Sequence, residues 1–277
     1  MDIRITKEIF EMAIPAFKSP TPSIFEKVQP FLEDAEYCVI SLLSGFEPST
    51  EEMQSRVEHL ICTLAAYKAV PELDLVLTST GFGVVSNQNQ APASQARVAA
   101  LTESLRRRTS DATDLLLFDL KKEPLWNETP RAERIFRSLL WCPTIVRRYG
   151  IKLKEGGASK EVYTEEFEAL AHEIELAESD VRMALGAELY YTLCQKERKN
   201  ELSAAYEILA ERTRVLMAAT IMNASYPRSY ITARRDFERT LDQFSDQLPE
   251  YINSSEYRAK KAKRYENKKD DPTFFFG

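Results

Sequence analysis

DLVLTSTGFGVVSNQNQAPAS, residues Asp74–Ser94, is the one stretch where the helical pattern of this chain breaks. Leu75, Val76 and Leu77 suit a short strand. Thr80-Gly81 supplies a turn, because glycine alone takes positive φ without steric cost. Gly83, Val84 and Val85 read as the returning strand. Asn87-Gln88-Asn89 is polar and turn-prone, and Pro92 stands where a helix would begin. The spacing therefore predicts a β-hairpin over 74–87 held between two helices. A lone hairpin is marginal in water, so it must pack on those helices or have an edge covered by another chain.

On the N-terminal side, Pro15, Pro20 and Pro22 break any helix in residues 1–22, which predicts an extended arm lying on a neighbour. Ser23 with Glu26 forms a capping box ahead of Phe31, Leu32, Ala35, Val39, Leu42 and Leu43, and Gly45 ends that run. Pro30 is expected to restart or kink it. Ser49 with Glu52 opens a second helix, whose face (Met53, Val57, Leu60, Ile61, Leu64, Tyr67) stops before Pro71. Beyond the hairpin, Val98, Leu101 and Leu105 start another helix; Leu115–Leu120 suits either buried helix or a short strand. Thr129-Pro130 caps and opens a helix carrying Ile135, Phe136, Leu139 and Leu140, ended by Pro143.

Residues 142–158 read as a connecting segment or a second hairpin, with Lys154–Ser159 as a linker tip. From Thr164 the apolar residues Phe167, Leu170, Ile174, Ala177, Val181 and Ala184 form a coiled-coil-like seam on one long helix. Leu202, Ala205, Tyr206, Leu209, Leu216 and Met217 mark a second, and Ile231, Phe237, Leu241, Phe244 and Leu248 a third. The fold class is mainly α: a multi-helix bundle with a small β-hairpin and an extended C-terminal arm. Its parts are an N-terminal arm (1–22), a helical half with the hairpin (23–141), the connecting segment, a second helical half (159–248) and the arm 249–277. A shift of 142 residues sets Phe25, Glu26, Glu33, Ala35, Glu36, Val39 and Leu43 on Phe167, Glu168, Glu175, Ala177, Glu178, Val181 and Leu185. That fits either an old tandem copy or two ordinary amphipathic helices sharing a biased alphabet.

Composition narrows function. The chain of 277 residues is 44% hydrophobic and 29% charged, ordinary for a globular protein, and its 8 glycines disfavour glycine-rich phosphate loops. A net charge of −6 argues against a nucleic-acid binder. Residues 251–277 run the other way, with seven Lys/Arg against four Asp/Glu, so this tail suits an acidic surface. The N-terminus has charges early and no signal-peptide run, and the most apolar window, Val215–Met222, is too short to span a bilayer. Cys38, Cys62, Cys142 and Cys194 form no C-x-x-C pair and read as buried thiols in a reducing cytoplasm.

Enzyme signatures are missing. The residues three before His59 and His172 are Arg56 and Ala169, so no Glu-x-x-His pair exists. There is no His-Glu-x-x-His motif, nucleophile elbow, Walker loop or dinucleotide fingerprint, and no catalytic residue, cofactor or metal is expected. Glu165, Glu166 and Glu168 complement a helix start. Arg106-Arg107-Arg108 reads as a solvated face or a contact with an acidic neighbour. Glu36 and Glu178 could pair across a subunit interface with Arg147 or Arg234. Phe274-Phe275-Phe276 ends a segment too polar to fold alone, which predicts an arm that orders on another subunit. Gly81, Phe82, Gly83, Phe274, Phe275 and Phe276 are the candidate interaction residues.

LTSTGFGVVSNQN followed by APAS resembles the central motif of an uncharacterised family of Bacteroidetes phage and prophage proteins. Proteins of this size and helical make-up in such phages are similar to head-to-tail connector subunits of the neck. The resemblance implies a structural virion protein, made in the bacterial host cytoplasm, in a homo-oligomeric ring of about twelve copies. It also implies the portal protein and other neck or tail proteins as partners, DNA threading the ring without sequence-specific binding, and no membrane. The alternatives are a helical enzyme or ligand-binding protein with an unrecognised site, or an assembly factor absent from the virion.

Overall fold

The computed structural model describes residues 3–18, 23–73, 76–78, 81–83, 95–222 and 227–262. It is mainly α, as the spacing predicts. The chain forms α1 (Lys7–Ala13), α2 (Ser23–Leu43), α3 (Glu51–Leu73), β1 (Val76–Thr78), β2 (Gly81–Gly83), α4 (Gln95–Leu120), α5 (Pro124–Asn127), α6 (Pro130–Ile135) and α7 (Pro143–Arg148). There follow β3 (Leu153–Glu155), β4 (Ala158–Lys160), α8 (Thr164–Ala169), α9 (Ala171–Leu185), α10 (Ala187–Lys199), α11 (Ala204–Ile221), α12 (Pro227–Phe244), α13 (Pro249–Ile252) and α14 (Ser255–Lys261). Two compact units emerge, one of residues 1–174 with 195–201, the other of 175–194 with 202–277. The connecting segment 142–158 thus lies within the first unit, and the division falls inside α9. No described helix is long and apolar enough to cross a membrane.

The first unit is built on α2, α3 and α4. The buried face of α3 runs Val57, Leu60, Ile61, Ala65, Ala66 and Ala69, and its alanines suit close approach of the flanking helices. Trp126 on α5 is fully buried and donates its indole N–H to the Leu42 carbonyl at 3.1 Å, fixing α5 against the end of α2. Proline reads less decisively than its chemistry suggests. α2 continues through the exposed Pro30, its other face held by the buried Val28, Leu32 and Ala35, and α3 runs past Pro71 in its last turn. The cap of α3 is Thr50 rather than Ser49: its Oγ1 accepts from the Met53 amide at 3.2 Å, while the Ser49 hydroxyl bonds Glu123.

Residues 3–18 are not an extended arm. Thr6 caps α1, and Phe10, Ile14 and Phe17 are buried, with Phe10 edge-on to Phe17 at 5.6 Å. Pro15 opens a single 3-10 turn instead of ending structure, since its fixed φ suits a first helical position. Residues 115–120 are helix, the last turns of α4. Pro143 likewise starts α7 rather than only closing what precedes it.

The first hairpin forms, with Val76 opposite Gly83, Leu77 opposite Phe82 and Thr78 opposite Gly81. Gly81 is therefore a ladder residue, not the turn; residues 84–87 lie outside the described ones. A second hairpin exists too, displaced to 153–160: Leu153 faces Lys160 and Glu155 faces Ala158. Gly156 and Gly157, at φ of +56° and +83°, make its two-residue turn, which demands positive φ at both positions. Lys154–Ser159 is thus strand and turn, not a linker tip. The predicted long seam from Thr164 is two helices, broken at Leu170 and stopped at Gly186.

In the second unit Leu189, Leu193, Leu209, Phe237 and Leu241 are buried at 0–1% exposure. Over its described part, 249–262, the predicted C-terminal arm is α13 and α14, anchored by buried Leu248 and Tyr251. Ser254 caps α14, and Lys260 pairs with Asp242 of α12 at 2.8 Å. Residues 263–277, with Phe274–Phe276, lie outside the described ones.

α14 packs against the α9–α10 corner at Gly186, whose φ is +83°. A β-carbon there would lie 3.0 Å from Glu256 Oε2 and 3.1 Å from Ser254 Cβ, whereas Gly45, at φ +82°, has nothing within 4 Å. Gly45→Ala should cost about 1–2 kcal/mol from backbone strain alone. Gly186→Ala should cost about 1 kcal/mol more, because the α14 cap must shift. Urea melts of the two variants measure the difference; equal losses would show that α14 does not press on this corner.

Candidate functional site

A polar cleft in the first unit has a volume of ≈ 740 Å³ and is lined from α4, β4 and the start of α8. Helical spacing puts Glu103, Arg106 and Arg107 of α4 on one face. The loop before α8 contributes Tyr163, and its first turn Glu165 and Glu166. Arg106 joins the two sides. Its Nη1 donates to both Glu166 oxygens at 3.1 and 2.8 Å, while Nε and Nη2 donate to the Glu103 oxygens at 2.8 and 3.0 Å. One planar guanidinium is thus forked onto two carboxylates. Glu166 also accepts from the Tyr163 amide at 3.1 Å, closing the N-terminus of α8.

Tyr163 is the aromatic centre. The guanidinium carbons of Arg147, Arg106 and Arg107 lie 4.6, 5.3 and 5.5 Å from its ring centroid. Arg147 in turn donates to the Val162 carbonyl at 2.8 Å and to Asp111 at 2.6 Å. Behind it the buried Asp114 accepts from the Thr144 amide at 2.7 Å, so a carboxylate of α4 caps α7.

The electrostatics fix these charges. Hydrogen bonds from Arg106 and then Arg107 drive the Glu103 carboxyl down to about 2. Burial opposes ionisation of Glu166, but the Arg106 guanidinium and the Tyr163 amide outweigh it and leave its pKa lowered. Arg106 is raised, chiefly by Glu103. Burial and a hydrogen bond to Glu165, at 2.7 Å, push the Tyr67 hydroxyl up to about 12. None of these groups changes charge near neutral pH, where a general acid or base must. The arrangement is chemically a clamp. Asp114 alone moves towards neutrality: burial raises it to about 6, against the Thr144 donors and Arg147.

The residues singled out by sequence are distributed otherwise. Gly81, Phe82 and Gly83 make up β2 in the first unit, and Phe274, Phe275 and Phe276 lie outside the described residues. The suggested cross-subunit pairs are occupied within the chain: Glu36 accepts from the Ile3 amide, Glu178 pairs with Arg182, Arg147 with Asp111, and Arg234 with Glu238. Arg108 donates to the Ala13 carbonyl at 2.9 Å and Arg106 is tied to Glu166, so these two arginines are engaged within the chain, while Arg107 is half exposed and pairs with Glu103. Cys62, Cys142 and Cys194 are buried thiols and Cys38 is exposed. No group of three His, Cys, Asp or Glu side chains able to hold a metal occurs among the described residues. Tyr163 and the Arg106–Glu166 pair escaped sequence reasoning because 60 residues separate the partners; only the triple arginine and the acids at a helix start signalled the site.

Arg106→Met should cost about 2–3 kcal/mol, because it strands the Glu166 carboxylate, whose side chain is only 10% exposed. Glu103→Gln should cost less, its side chain being 41% exposed. Chemical denaturation measures both, and a neutral Arg106→Met would refute the clamp. Asp114, raised when folded, contributes stability below about pH 4 that is lost as pH rises through about 6. Asp114→Asn should therefore gain on the natural chain by about 2–3 kcal/mol between pH 4 and pH 7.5. Urea melts at the two pH values read that shift; a pH-independent difference would mean Asp114 titrates normally.

A family described as "Family of unknown function (DUF6712)" matches residues 23–134, less than half of the chain. The match takes in α2, α3, both strands of the first hairpin, all of α4, and with them Glu103, Arg106, Asp111 and Asp114. It leaves out Tyr163, Glu166 and the second unit. No curated protein and no solved structure matches the chain.

Proposed function

We propose that the chain is a non-enzymatic structural subunit of the head-to-tail connector of a tailed bacteriophage, packed side by side with copies of itself in a ring around the DNA channel. The ring would have about twelve members closed by a heterologous contact. Its partners would be the portal and other neck or tail proteins, and its place the virion.

The observation that carries this reading is the saturation of the polar cleft around Arg106. Glu103, Arg106, Arg107 and Glu166 spend their donors and acceptors on each other and stay charged across the working range of an enzyme. Such a network holds a shape instead of turning over a substrate. The motif in 77–94 and the mainly α make-up support the same reading.

Native mass spectrometry with negative-stain electron microscopy tests the proposal, on the chain alone and mixed with portal assemblies. The expected result is a closed ring, either free or formed on the portal. A chain that stays monomeric in both conditions, or is absent from purified virions, would remove the connector role; turnover of a small molecule would replace it.

A further inference from the structure

In the second unit, arginines are gathered on one face of α12. Arg235 and Arg239 follow Arg228 by seven and eleven residues, which sets the three within about 40° of one another around the helix. All three are exposed, and the row runs about 16 Å along the axis. Ser229, also exposed, offers a hydroxyl beside Arg228. Across a groove of ≈ 360 Å³, α11 adds the exposed Arg212.

The acids nearby leave these cations available. Arg212 and Arg228 meet no carboxylate at ion-pair distance among the described residues. Asp236 lies 3.9 Å from Arg235 and 3.8 Å from Arg239, beyond hydrogen-bond reach, and those two arginine side chains are 68% and 70% exposed. Contacts of that length in water hold a guanidinium weakly, so either can turn to another anion. The other acids of α12, Glu238 and Asp242, are spent on Arg234 and Lys260 at 2.7 and 2.8 Å. The net charge of −6 belongs to the whole chain and does not describe this face.

We propose that the α12 arginine row, with Arg212, binds the phosphate backbone of duplex DNA without reading its sequence. A lone phosphate or carboxylate needs one or two guanidinium groups, whereas a straight row matches a ligand whose charge repeats. Duplex DNA carries one negative charge per about 1.7 Å of axis, so the row faces about nine of them. Arginine and hydroxyl contacts to phosphate position a protein on the duplex and carry no sequence information. A membrane surface also repeats its phosphates, but a helix lying in it needs a broad apolar face, and the one large apolar side chain exposed on α12 among the described residues is Ile231. The inference rests on the connector reading for bringing DNA beside the chain; the contact itself belongs to the single chain.

The test is anisotropy of a fluorescein-labelled duplex of about 24 base pairs, titrated with the full chain between about 50 and 200 mM KCl. The natural chain should bind, with log K falling against log salt at a slope of about −3, and two unrelated sequences should bind alike. Arg228→Gln, Arg235→Gln and Arg239→Gln together should weaken binding at least about tenfold at the lower salt and flatten the slope to about −1. Lys at the same three positions should keep both affinity and slope. Arg97→Gln, Arg134→Gln and Arg148→Gln, an equal loss of exposed charge in the first unit, should change neither. No binding by the natural chain, equal losses in the two Gln triples, or an unaffected α12 triple would each overturn the proposal. So would retention on vesicles of phosphatidylglycerol and phosphatidylcholine without duplex binding. Native mass spectrometry of the same samples separates the two readings. A chain that never assembles yet loses the duplex with the α12 triple keeps this contact and removes the connector role. A ring that forms and ignores the α12 triple does the reverse.

Discussion

Arg106 sets the geometry of the first unit. Its guanidinium accepts no alternative partner geometry cheaply, because the planar fork meets Glu103 on one edge and Glu166 on the other. Through Glu103 it is tied to its own helix; through Glu166 it is tied to the first turn of α8, 60 residues away. Taking these ions partly out of water is costly, and only their completed hydrogen bonds offset it. The loop before α8 then has little freedom, since the same Glu166 closes the Tyr163 amide and the Tyr163 ring sits under three guanidinium groups. The second hairpin enters this loop directly, so its exposed strands, which bury little of their own, are positioned from one end by the clamp.

A second tie follows the same logic with a lysine. Lys121, just past α4, bonds Glu197 at 2.5 Å, and both side chains are largely shielded, at 14% and 9% exposure. The Lys121 carbonyl accepts from the amides of Asn127 and Asn200 at 2.7 and 3.1 Å, and Lys199 reaches Glu128 at 2.7 Å. These bonds explain why residues 195–201 group with the first unit although the chain on either side belongs to the second. Local hydrophobic pattern cannot encode such an assignment; it comes from a few polar contacts made late in the sequence.

That distinction accounts for what the sequence revealed. The helices of α2, α3, α11 and α12 were legible because each buries a face at regular spacing, so one residue type repeats the same message. Boundaries were less legible. Pro15, Pro71 and Pro143 all read as stops, yet two of them open helical turns and one sits inside a last turn, because proline is costly only where an amide was needed. Gly156-Gly157 carried the second hairpin in plain view, since paired positive φ is a turn specification, but a short charged stretch around it looked like a linker. The break at Leu170 left no composition signal, the seam residues continuing on both sides. Of the clamp, Arg106 and Arg107 stood out only as part of a triple arginine and Glu166 only as an acid at a helix start, because the partners lie 60 residues apart and only the fold unites them.

The two arginine-bearing hollows therefore differ in what they can do, for a reason that charge counting misses. Around Arg106 every ionic group has found its partner, and a newcomer would have to break bonds already shorter than 3.2 Å before making its own. Binding there would repay little. Arg212 and Arg228, which line a groove of ≈ 360 Å³ between α11 and α12, are exposed, and neither meets a carboxylate at ion-pair distance among the described residues. An arginine whose donors are all placed holds a fold together, and that is the part Arg106 plays, even though its cleft is the larger hollow and the more highly charged.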